Sequence, residues 1–331
     1  MAILITGGAG YIGSHTAVML LEKGFDIVIC DNFSNSSNDV IEKIKKITNK
    51  EFNFYNIDLR SKSDIDYLFQ TEKIDSVIHF AALKAVGESV QKPLYYYENN
   101  LCSTINLLQI MDNHHVKNLI FSSSATVYGD KAIPPYKENS ETSATNPYGQ
   151  SKIMIERMLE DLHHSDDSWN IISLRYFNPL GAHSSGLIGE NPQGIPNNLL
   201  PYIAQVASGK LPELKVFGND YDTPDGTGIR DYIHVCDLAE GHIKALMKLK
   251  ESPGYDVYNL GTGKGASVLE LISAFENANG IKIPYTITER RPGDTPLSIA
   301  DVEKAEKELD FKATRTLQDM CRDTWNFQKS L

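Results

Sequence analysis

The segment Ile3-Leu4-Ile5-Thr6-Gly7-Gly8-Ala9-Gly10-Tyr11-Ile12-Gly13 near the start of the chain decides the predicted fold. An apolar strand runs into a glycine-rich turn, and the apolar stretch that ends at Gly24 predicts a helix after it. The glycines satisfy both Gly-x-Gly-x-x-Gly and Gly-x-x-Gly-x-x-Gly. Without side chains the backbone can approach a pyrophosphate, whose charge then faces the helix N-terminus. The segment therefore predicts a dinucleotide-binding turn.

A second strand, residues 26–30, delivers Asp31 about 20 residues after the glycines, where a carboxylate can accept the hydrogen bonds of both ribose hydroxyls. No lysine or arginine follows until Lys43. A 2′-phosphate would be repelled by Asp31 and would find no local cation. The sequence therefore favours NAD over NADP.

Predicted strands and helices alternate up to about residue 177, which is typical of an α/β fold with a Rossmann-type doubly wound parallel sheet. A loop rich in glycine and proline, residues 181–196, follows, and the regular alternation stops there. We therefore expect an NAD-binding domain at residues 1–178 and a smaller mixed α/β domain at residues 179–331. A segment at about residues 230–260 is expected to pack back against the first domain.

Composition excludes several classes of protein. The 331 residues contain 32 Lys and Arg against 43 Asp and Glu, and the net charge of −11 disfavours nucleic-acid binding. No apolar run is long enough to cross a bilayer, and the first residues resemble no signal peptide, so we expect a cytoplasmic protein. Cys30, Cys102, Cys236 and Cys321 form no Cys-x-x-Cys pair, which predicts buried, reduced thiols and no metal site.

The segment Tyr148-Gly149-Gln150-Ser151-Lys152 lies in a predicted helix, where the four-residue spacing places the phenol and the ammonium on one face. A tyrosine that acts as a base near pH 7 needs its pKa lowered by about 3 from its ordinary value, and a neighbouring cation favours this. Ser124 follows a predicted strand, so its hydroxyl is expected next to Tyr148, beside the ligand crevice. His79 is predicted to be a hydrogen-bonded core residue.

Two arginine segments stand out in the second half of this acidic chain. Arg230 precedes Asp231-Tyr232-Ile233-His234, and Arg290-Arg291 precedes Pro292-Gly293-Asp294. Because a guanidinium forms paired hydrogen bonds with phosphate, these arginines are candidates for binding an anionic substrate.

Together, the glycine turn, Asp31, Ser124 and the Tyr148/Lys152 pair resemble the extended short-chain dehydrogenase/reductase family. The likeness is closer still to the UDP-hexose 4-epimerases of that family, and it covers nearly the whole chain. The segments that carry it are residues 7–16, 79–89, 122–129, 175–179, 192–199, 217–221 and 225–235.

The resemblance implies the binding residues. Tightly bound NAD would be held by Gly7, Gly10, Tyr11, Ile12, Gly13, Asp31, Asn32, Asn35, Asp58, Leu59, Phe80, Ala81, Lys84, Asn99, Tyr148, Lys152 and Phe177. A UDP-hexose would be bound by Ser124, Tyr148, Asn178, Asn198, Leu199, Phe217, Arg230, Arg291, Asp294 and Ser298. The resemblance also implies a homodimer, built by the helices that contain Tyr95-Tyr96-Tyr97 and residues 148–159.

The resemblance further implies an activity, the interconversion of UDP-galactose and UDP-glucose. Tyr148 as phenolate would take the proton of the sugar 4-hydroxyl while hydride passes from C4 to NAD. Ser124 would relay the proton, and Lys152 would lower the phenol's pKa. The 4-keto sugar would then rotate and take the hydride back on its other face. Ser298 stands where many bacterial members carry tyrosine, which implies that the N-acetylhexosamine forms are accepted as well.

Three alternatives share parts of this pattern. A nucleotide-sugar 4,6-dehydratase performs the same first oxidation, but those enzymes typically carry acidic residues where this chain has Ser124-Ala125-Thr126. A non-catalytic NAD-binding regulator usually lacks the tyrosine and lysine pair. A dehydrogenase that releases its cofactor would show net reduction of NAD.

Overall fold

The structure is a computed structural model that describes residues 1–331 with the exception of residues 193, 195, 197, 292 and 293. The chain forms two compact units. Unit 1 comprises residues 1–132, 141–175 and 239–258, and unit 2 comprises residues 133–140, 176–238 and 259–331. The domain boundary expected at residue 178 stays a prediction.

Strands and helices have the following bounds. The strands are β1 (Ala2–Thr6), β2 (Ile27–Asp31), β3 (Asn53–Asn56), β4 (Ile74–His79), β5 (Asn118–Ser124), β6 (Asn170–Tyr176), β7 (Asn178–Leu180), β8 (Leu214–Phe217), β9 (Ile229–His234), β10 (Tyr255–Leu260), β11 (Gly265–Ser267), β12 (Tyr285–Thr288) and β13 (Leu297–Ser298). The α-helices are α1 (Tyr11–Glu22), α2 (Asp39–Thr48), α3 (Lys62–Thr71), α4 (Val86–Gln91), α5 (Pro93–Tyr97), α6 (Ser103–Asn113), α7 (Pro147–Ser165), α8 (Leu199–Ala207), α9 (Val235–Leu249), α10 (Val268–Asn279), α11 (Glu303–Glu308) and α12 (Leu317–Gln328).

The largest sheet has seven strands in the order β10-β6-β5-β4-β1-β2-β3. The pairs β1–β2, β1–β4, β2–β3 and β4–β5 are all parallel. The strand order reverses at β1, which confirms the predicted doubly wound α/β fold. Strand β10 joins this sheet beside β6, a pairing that the sequence did not specify, although a segment at about residues 230–260 was expected to pack back against the first domain.

Apolar side chains fill the space between this sheet and its helices. Leu4, Val77 and Leu119 from three neighbouring strands share one core with Leu107 of α6 and Ile155 of α7. Strands that are buried on both faces read as continuous apolar runs, which is why β1, β2 and β4 were recognisable from sequence.

His79 lies in the same core, as predicted. Its side chain is buried, with Nδ1 at 2.7 Å from the Thr6 hydroxyl oxygen and Nε2 at 3.0 Å from that of Thr104. Burial lowers its pKa to about 3, so the imidazole is neutral at physiological pH.

The helical segment expected from Leu94 to His115 is interrupted. A π-helical turn, Glu98–Cys102, separates α5 from α6. Within it the buried Asn100 amide accepts from the Leu83 backbone nitrogen at 2.8 Å and donates to the Ser151 hydroxyl at 3.1 Å. Such turns often occur at functional sites.

Unit 2 is built around β9, which pairs with β7 and β13 in parallel and with β11 in antiparallel register. Parallel strands β8 and β12 form a separate pair. A second core includes Ile203 of α8, Phe275 of α10 and Met320 of α12.

Two sequence-based expectations concern thiols and membranes. Cys30, Cys236 and Cys321 are buried and free, but Cys102, the last residue of the π-helical turn, is exposed. The expectation of a buried thiol is therefore wrong for Cys102.

Among the described residues, none of the helices combines the length and apolar character needed to cross a membrane.

Candidate active site

The turn between β1 and α1 is a cradle that only glycine fits. Gly7 has φ of +67°, and a Cβ there would lie 2.8 Å from the backbone nitrogen of Ala81. A Cβ on Gly13 would lie 2.4 Å from the carbonyl oxygen of Gly7. Because these positions carry no side chains, the backbone at the N-terminus of α1 is accessible. Such a backbone fits the pyrophosphate of a dinucleotide.

Asp31 ends β2 beside this turn. Its carboxylate accepts hydrogen bonds from the backbone nitrogens of Ala9 at 3.1 Å and Phe33 at 2.8 Å, and from the Ser36 hydroxyl at 2.9 Å. Burial raises its pKa, and these three bonds oppose that rise. The carboxylate is thus fixed at the position where a ribose is expected.

Arg60 is a nearby cation that the sequence reasoning missed, because it follows the next strand, β3. The Asn32 amide donates to Asp58 at 3.1 Å, and Arg60 donates to the same carboxylate at 2.8 Å. The Arg60 contact holds the pKa of Asp58 at about 2. Because Arg60 is already paired with Asp58, its charge is compensated there and does not serve a 2′-phosphate. The predicted preference for NAD over NADP is therefore unchanged.

The predicted catalytic residues meet between β5 and α7. Asn146 caps α7 by accepting from the Gly149 backbone nitrogen at 2.9 Å, and Tyr148 occupies the first turn of the helix. The Ser124 hydroxyl lies beside the phenol of Tyr148 and lowers its pKa. The Lys152 ammonium lies 5.8 Å from the centre of the Tyr148 ring. The four-residue spacing thus brings phenol and ammonium together, as predicted.

Thr126 is a further residue of this group that sequence reasoning did not identify. Its backbone nitrogen and its hydroxyl both donate to the Ser124 hydroxyl oxygen, at 3.2 and 3.0 Å. Both bonds use the Ser124 oxygen as acceptor, so the proton of Ser124 is left for another partner. The only signal in the sequence is the position of Thr126 two residues after Ser124.

The pKa values of Tyr148 and Lys152 are shifted mainly by burial. Burial raises the pKa of Tyr148, while the neighbouring Ser124 hydroxyl and the positive charge of Lys84 lower it. Burial also lowers the pKa of Lys152 to about 7, opposed by Glu156, and its ammonium donates to the Ser122 carbonyl oxygen at 2.6 Å. The role of Lys152 in lowering the phenol's pKa stays a prediction.

In unit 2, β9 assembles the residues predicted to bind substrate. Arg230 pairs in register with Ser298 of β13, and Tyr232 pairs with Asn178 of β7. Arg230 and Tyr232 are two residues apart, so their side chains share one face of the strand. Residues that lie far apart in the sequence therefore meet on one small sheet.

An arginine and carboxylate cluster extends this sheet. Asp294 lies 3.9 Å from the Arg230 guanidinium and 3.1 Å from that of Arg291. The Arg291 guanidinium stacks over the ring of Phe217, 4.8 Å from its centre. A planar cation over an exposed aromatic ring suits the recognition of a flat base and its phosphates.

Asn198 and Leu199 begin α8, and the Asn198 amide donates to Glu190 at 2.6 Å. Residues 192–199 form one of the segments on which the family resemblance rests. Three of its residues, Gln193, Ile195 and Asn197, lie outside the described residues. Pro292 and Gly293 of the second arginine segment also lie outside them.

Comparison with known proteins identifies the family. The sequence profile of the GDP-mannose 4,6 dehydratase family matches residues 4–324. The UDP-glucose 4-epimerase of Bacillus subtilis (strain 168) is 57% identical over 330 residues, which cover 100% of this chain and 97% of that protein. The chain belongs to the UDP-glucose 4-epimerase family.

Solved structures of UDP-glucose 4-epimerases agree with this assignment. The Bifidobacterium longum enzyme in complex with NAD+ and UDP has a TM-score of 0.96 and 53% identity, covering 100% of this chain and 98% of that chain. The UDP-Glc/GlcNAc 4-epimerase of Campylobacter jejuni has a TM-score of 0.87 and 38% identity, covering 100% and 99%. The family is part of the extended short-chain dehydrogenases/reductases, as the resemblance implied.

The residues predicted to bind NAD lie in unit 1, except Phe177, which lies in unit 2. Ser124 and Tyr148 lie in unit 1, and the other residues predicted to bind substrate lie in unit 2. Their individual roles toward cofactor and sugar stay predictions.

Proposed function

We propose that this protein is an NAD-dependent isomerase that interconverts UDP-galactose and UDP-glucose. The observation that carries the proposal is the grouping of Tyr148 with the Ser124 hydroxyl beside its phenol and with Lys152 one helical turn away. The UDP-glucose 4-epimerase relatives, which match the whole chain, supply the substrate class.

The chain's own residues perform the proton transfer. Bound NAD, held by the glycine cradle and Asp31, supplies the acceptor and donor of hydride at C4 of the sugar and brings a positive charge. Tyr148 Oη takes the proton of the sugar 4-hydroxyl and later returns one. Ser124, oriented by Thr126, holds the hydroxyl of the sugar beside Tyr148 Oη during both transfers.

Residues of unit 2 hold the nucleotide. Arg230 and Arg291 bind the diphosphate, and Phe217 contacts the uracil. Anchoring through UDP leaves the sugar ring free to turn between the two proton transfers, which a 4-epimerase requires. The carboxylate of Asp294 contacts the guanidiniums of Arg230 and Arg291 and holds both in place.

One assay separates this proposal from its alternatives. Purified protein is incubated with UDP-galactose without added NAD, and the nucleotide sugars are separated. We expect UDP-glucose. A 4-keto-6-deoxy sugar would indicate a dehydratase, net NAD reduction would indicate a dehydrogenase, and no product from NAD-loaded protein would contradict catalysis.

We further propose that the N-acetylhexosamine forms of the substrate are accepted. Ser298 is small, and its backbone is fixed by pairing with Arg230 and by neighbouring bonds: Tyr136 N donates to Ile299 O at 2.8 Å, and Ala300 N donates to Asp231 at 3.2 Å. The Campylobacter jejuni relative is a UDP-Glc/GlcNAc 4-epimerase by name. Because the backbone is fixed, the side chain at residue 298 determines how large a sugar substituent the site accepts.

Ser298→Tyr should lower kcat/KM for UDP-N-acetylglucosamine by about 10²-fold, because the ring fills the space that an acetamido group needs. Turnover of UDP-galactose should change little. Parallel assays of both substrates check this, with Ser298→Cys as the matched small-residue control. Absence of N-acetyl turnover in the unaltered protein would contradict the proposal.

We propose a homodimer built on α5 and α7 of unit 1. Exposed apolar residues cluster on the helices of this unit, with Leu94 80% exposed and Val90 61% exposed, alongside Tyr95 and Met154. Sedimentation should give twice the monomer mass, and Leu94→Asp should shift it toward monomer. Ile133→Asp is the control, because Ile133 is 84% exposed on a loop of unit 2.

We also propose a cytoplasmic location. All four cysteines are free, as expected where thiols stay reduced. Cell fractionation with antibody detection tests this, and recovery in a secreted or membrane fraction would contradict it.

A further inference from the structure

The last three residues of β5 contact three positions on one face of α7. The Ser124 hydroxyl lies beside the Tyr148 phenol, the Ser122 carbonyl oxygen accepts from Lys152 at 2.6 Å, and the Ser123 hydroxyl donates to Glu156 at 2.5 Å.

The three helix residues follow one another at four-residue intervals, so they form a single stripe along α7. Two members of the stripe belong to the proposed chemistry. Glu156, the third, has no part in it.

Glu156 is a buried carboxylate whose oxygens are both in use. Arg175 of β6 donates through Nε to Oε1 at 3.0 Å and through Nη2 to Oε2 at 2.7 Å. Both residues are buried, with 6% of Glu156 and 5% of Arg175 exposed. The remaining guanidinium nitrogen donates to the Tyr128 hydroxyl at 3.0 Å. The paired charges thus join α7 to two neighbouring strands of the sheet.

We propose that Glu156 and Arg175 are positioning residues that fix the register of α7 on β5 and thereby hold Tyr148 and Lys152 in catalytic geometry. The proposal rests on the proposed function for the reaction itself, but the contacts from which it is argued all lie in unit 1.

A buried, two-point ion pair is directional, whereas apolar packing along the rest of α7 tolerates sliding and rotation. Misplacement of a reacting group by 1 Å costs about 10²-fold in rate. The pair lies two helical turns from Tyr148, so a small rotation of α7 at Glu156 is transmitted to the phenol and changes its position relative to Ser124.

The pair also keeps the surroundings of the reacting group electrically balanced. Charged or titratable groups that face Tyr148 and Lys152 are Lys84, His79, Tyr96 and Glu156. Removing Glu156 alone would leave the Arg175 charge unpaired, whereas removing both charges leaves the balance unchanged. The double variant therefore separates position from charge.

The test compares Glu156→Gln, Arg175→Met and the double variant Glu156→Gln/Arg175→Met. We expect kcat for UDP-galactose to fall by about 10²-fold in each, with KM unchanged, because the nucleotide-binding residues lie in unit 2. Thermal stability should fall in the single variants and recover in the double variant, while kcat stays low. Glu160→Gln, one turn further along α7 where the partly exposed Glu160 pairs with the exposed Arg157, is the matched control and should keep full kcat.

A second readout does not depend on turnover. The ultraviolet titration of Tyr148, obtained by subtracting the curve of each protein's Tyr148→Phe counterpart, should move to higher pH in the double variant because the phenol moves away from the Ser124 hydroxyl, which lowers its pKa. Recovery of kcat together with stability in the double variant, or an unshifted titration, would overturn the proposal. An inactive unaltered protein would refute the proposed function, while the titration would still decide the positioning role.

Discussion

Tyr148→Phe is expected to lower turnover of UDP-galactose by about 10³-fold or more, because it removes the atom that carries the proton. The substitution takes away one hydroxyl, which lies beside Ser124. Loss of one hydrogen-bonding group costs about 1 kcal/mol, so the protein should remain folded. Steady-state assays, with the NAD content of the purified protein measured in parallel, check this. NAD content should be unchanged.

Tyr55→Phe is the matched control. Its hydroxyl donates to Glu72 at 2.6 Å from β3, at the edge of the sheet, so it loses a comparable bond away from the reacting group. Full activity in Tyr148→Phe, or an equal loss in Tyr55→Phe, would remove the catalytic assignment of Tyr148.

Gly13→Ala is expected to abolish retention of NAD. The new Cβ would lie 2.4 Å from the Gly7 carbonyl oxygen and 2.8 Å from the Gly8 Cα, so α1 must move away from the turn. Overpacking of this kind costs about 1–3 kcal/mol. The same movement displaces the helix N-terminus that faces the pyrophosphate. Absorbance of released cofactor and the melting temperature measure the two effects.

Gly87→Ala on α4 provides the control, because a Cβ there meets no heavy atom within 4 Å. Alanine also favours a helix over glycine, so stability should be equal or slightly higher. Wild-type NAD content and melting temperature in Gly13→Ala would show that the close approach at the turn is not required.

The two predictions address different parts of the proposed enzyme. Tyr148→Phe keeps the cofactor and loses chemistry, whereas Gly13→Ala loses the cofactor first. A protein that failed in both ways after Tyr148→Phe alone would point to a structural role for the phenol. The separation follows from the positions of the two residues: Gly13 lies in α1, which follows β1, whereas Tyr148 lies beside β5, which is two strands away from β1 in the seven-stranded sheet.

The sequence by itself determined the features that depend on neighbours along the chain. The glycine turn, Asp31 at the end of β2 and the Tyr148/Lys152 spacing are local patterns, because backbone freedom and helical periodicity act over a few residues. The parallel sheet also followed, since buried strands carry apolar runs that alternate with amphipathic helices. Resemblance then joined these features into one family.

Only the tertiary structure decided which distant residues meet. Strand register on β9 brings Arg230 to Ser298, and sheet order brings Arg175 to Glu156. The π-helical turn that buries Asn100 was likewise invisible in the sequence. Pairing between remote segments is set by packing of the whole chain, and no local pattern encodes the partner of a buried charge.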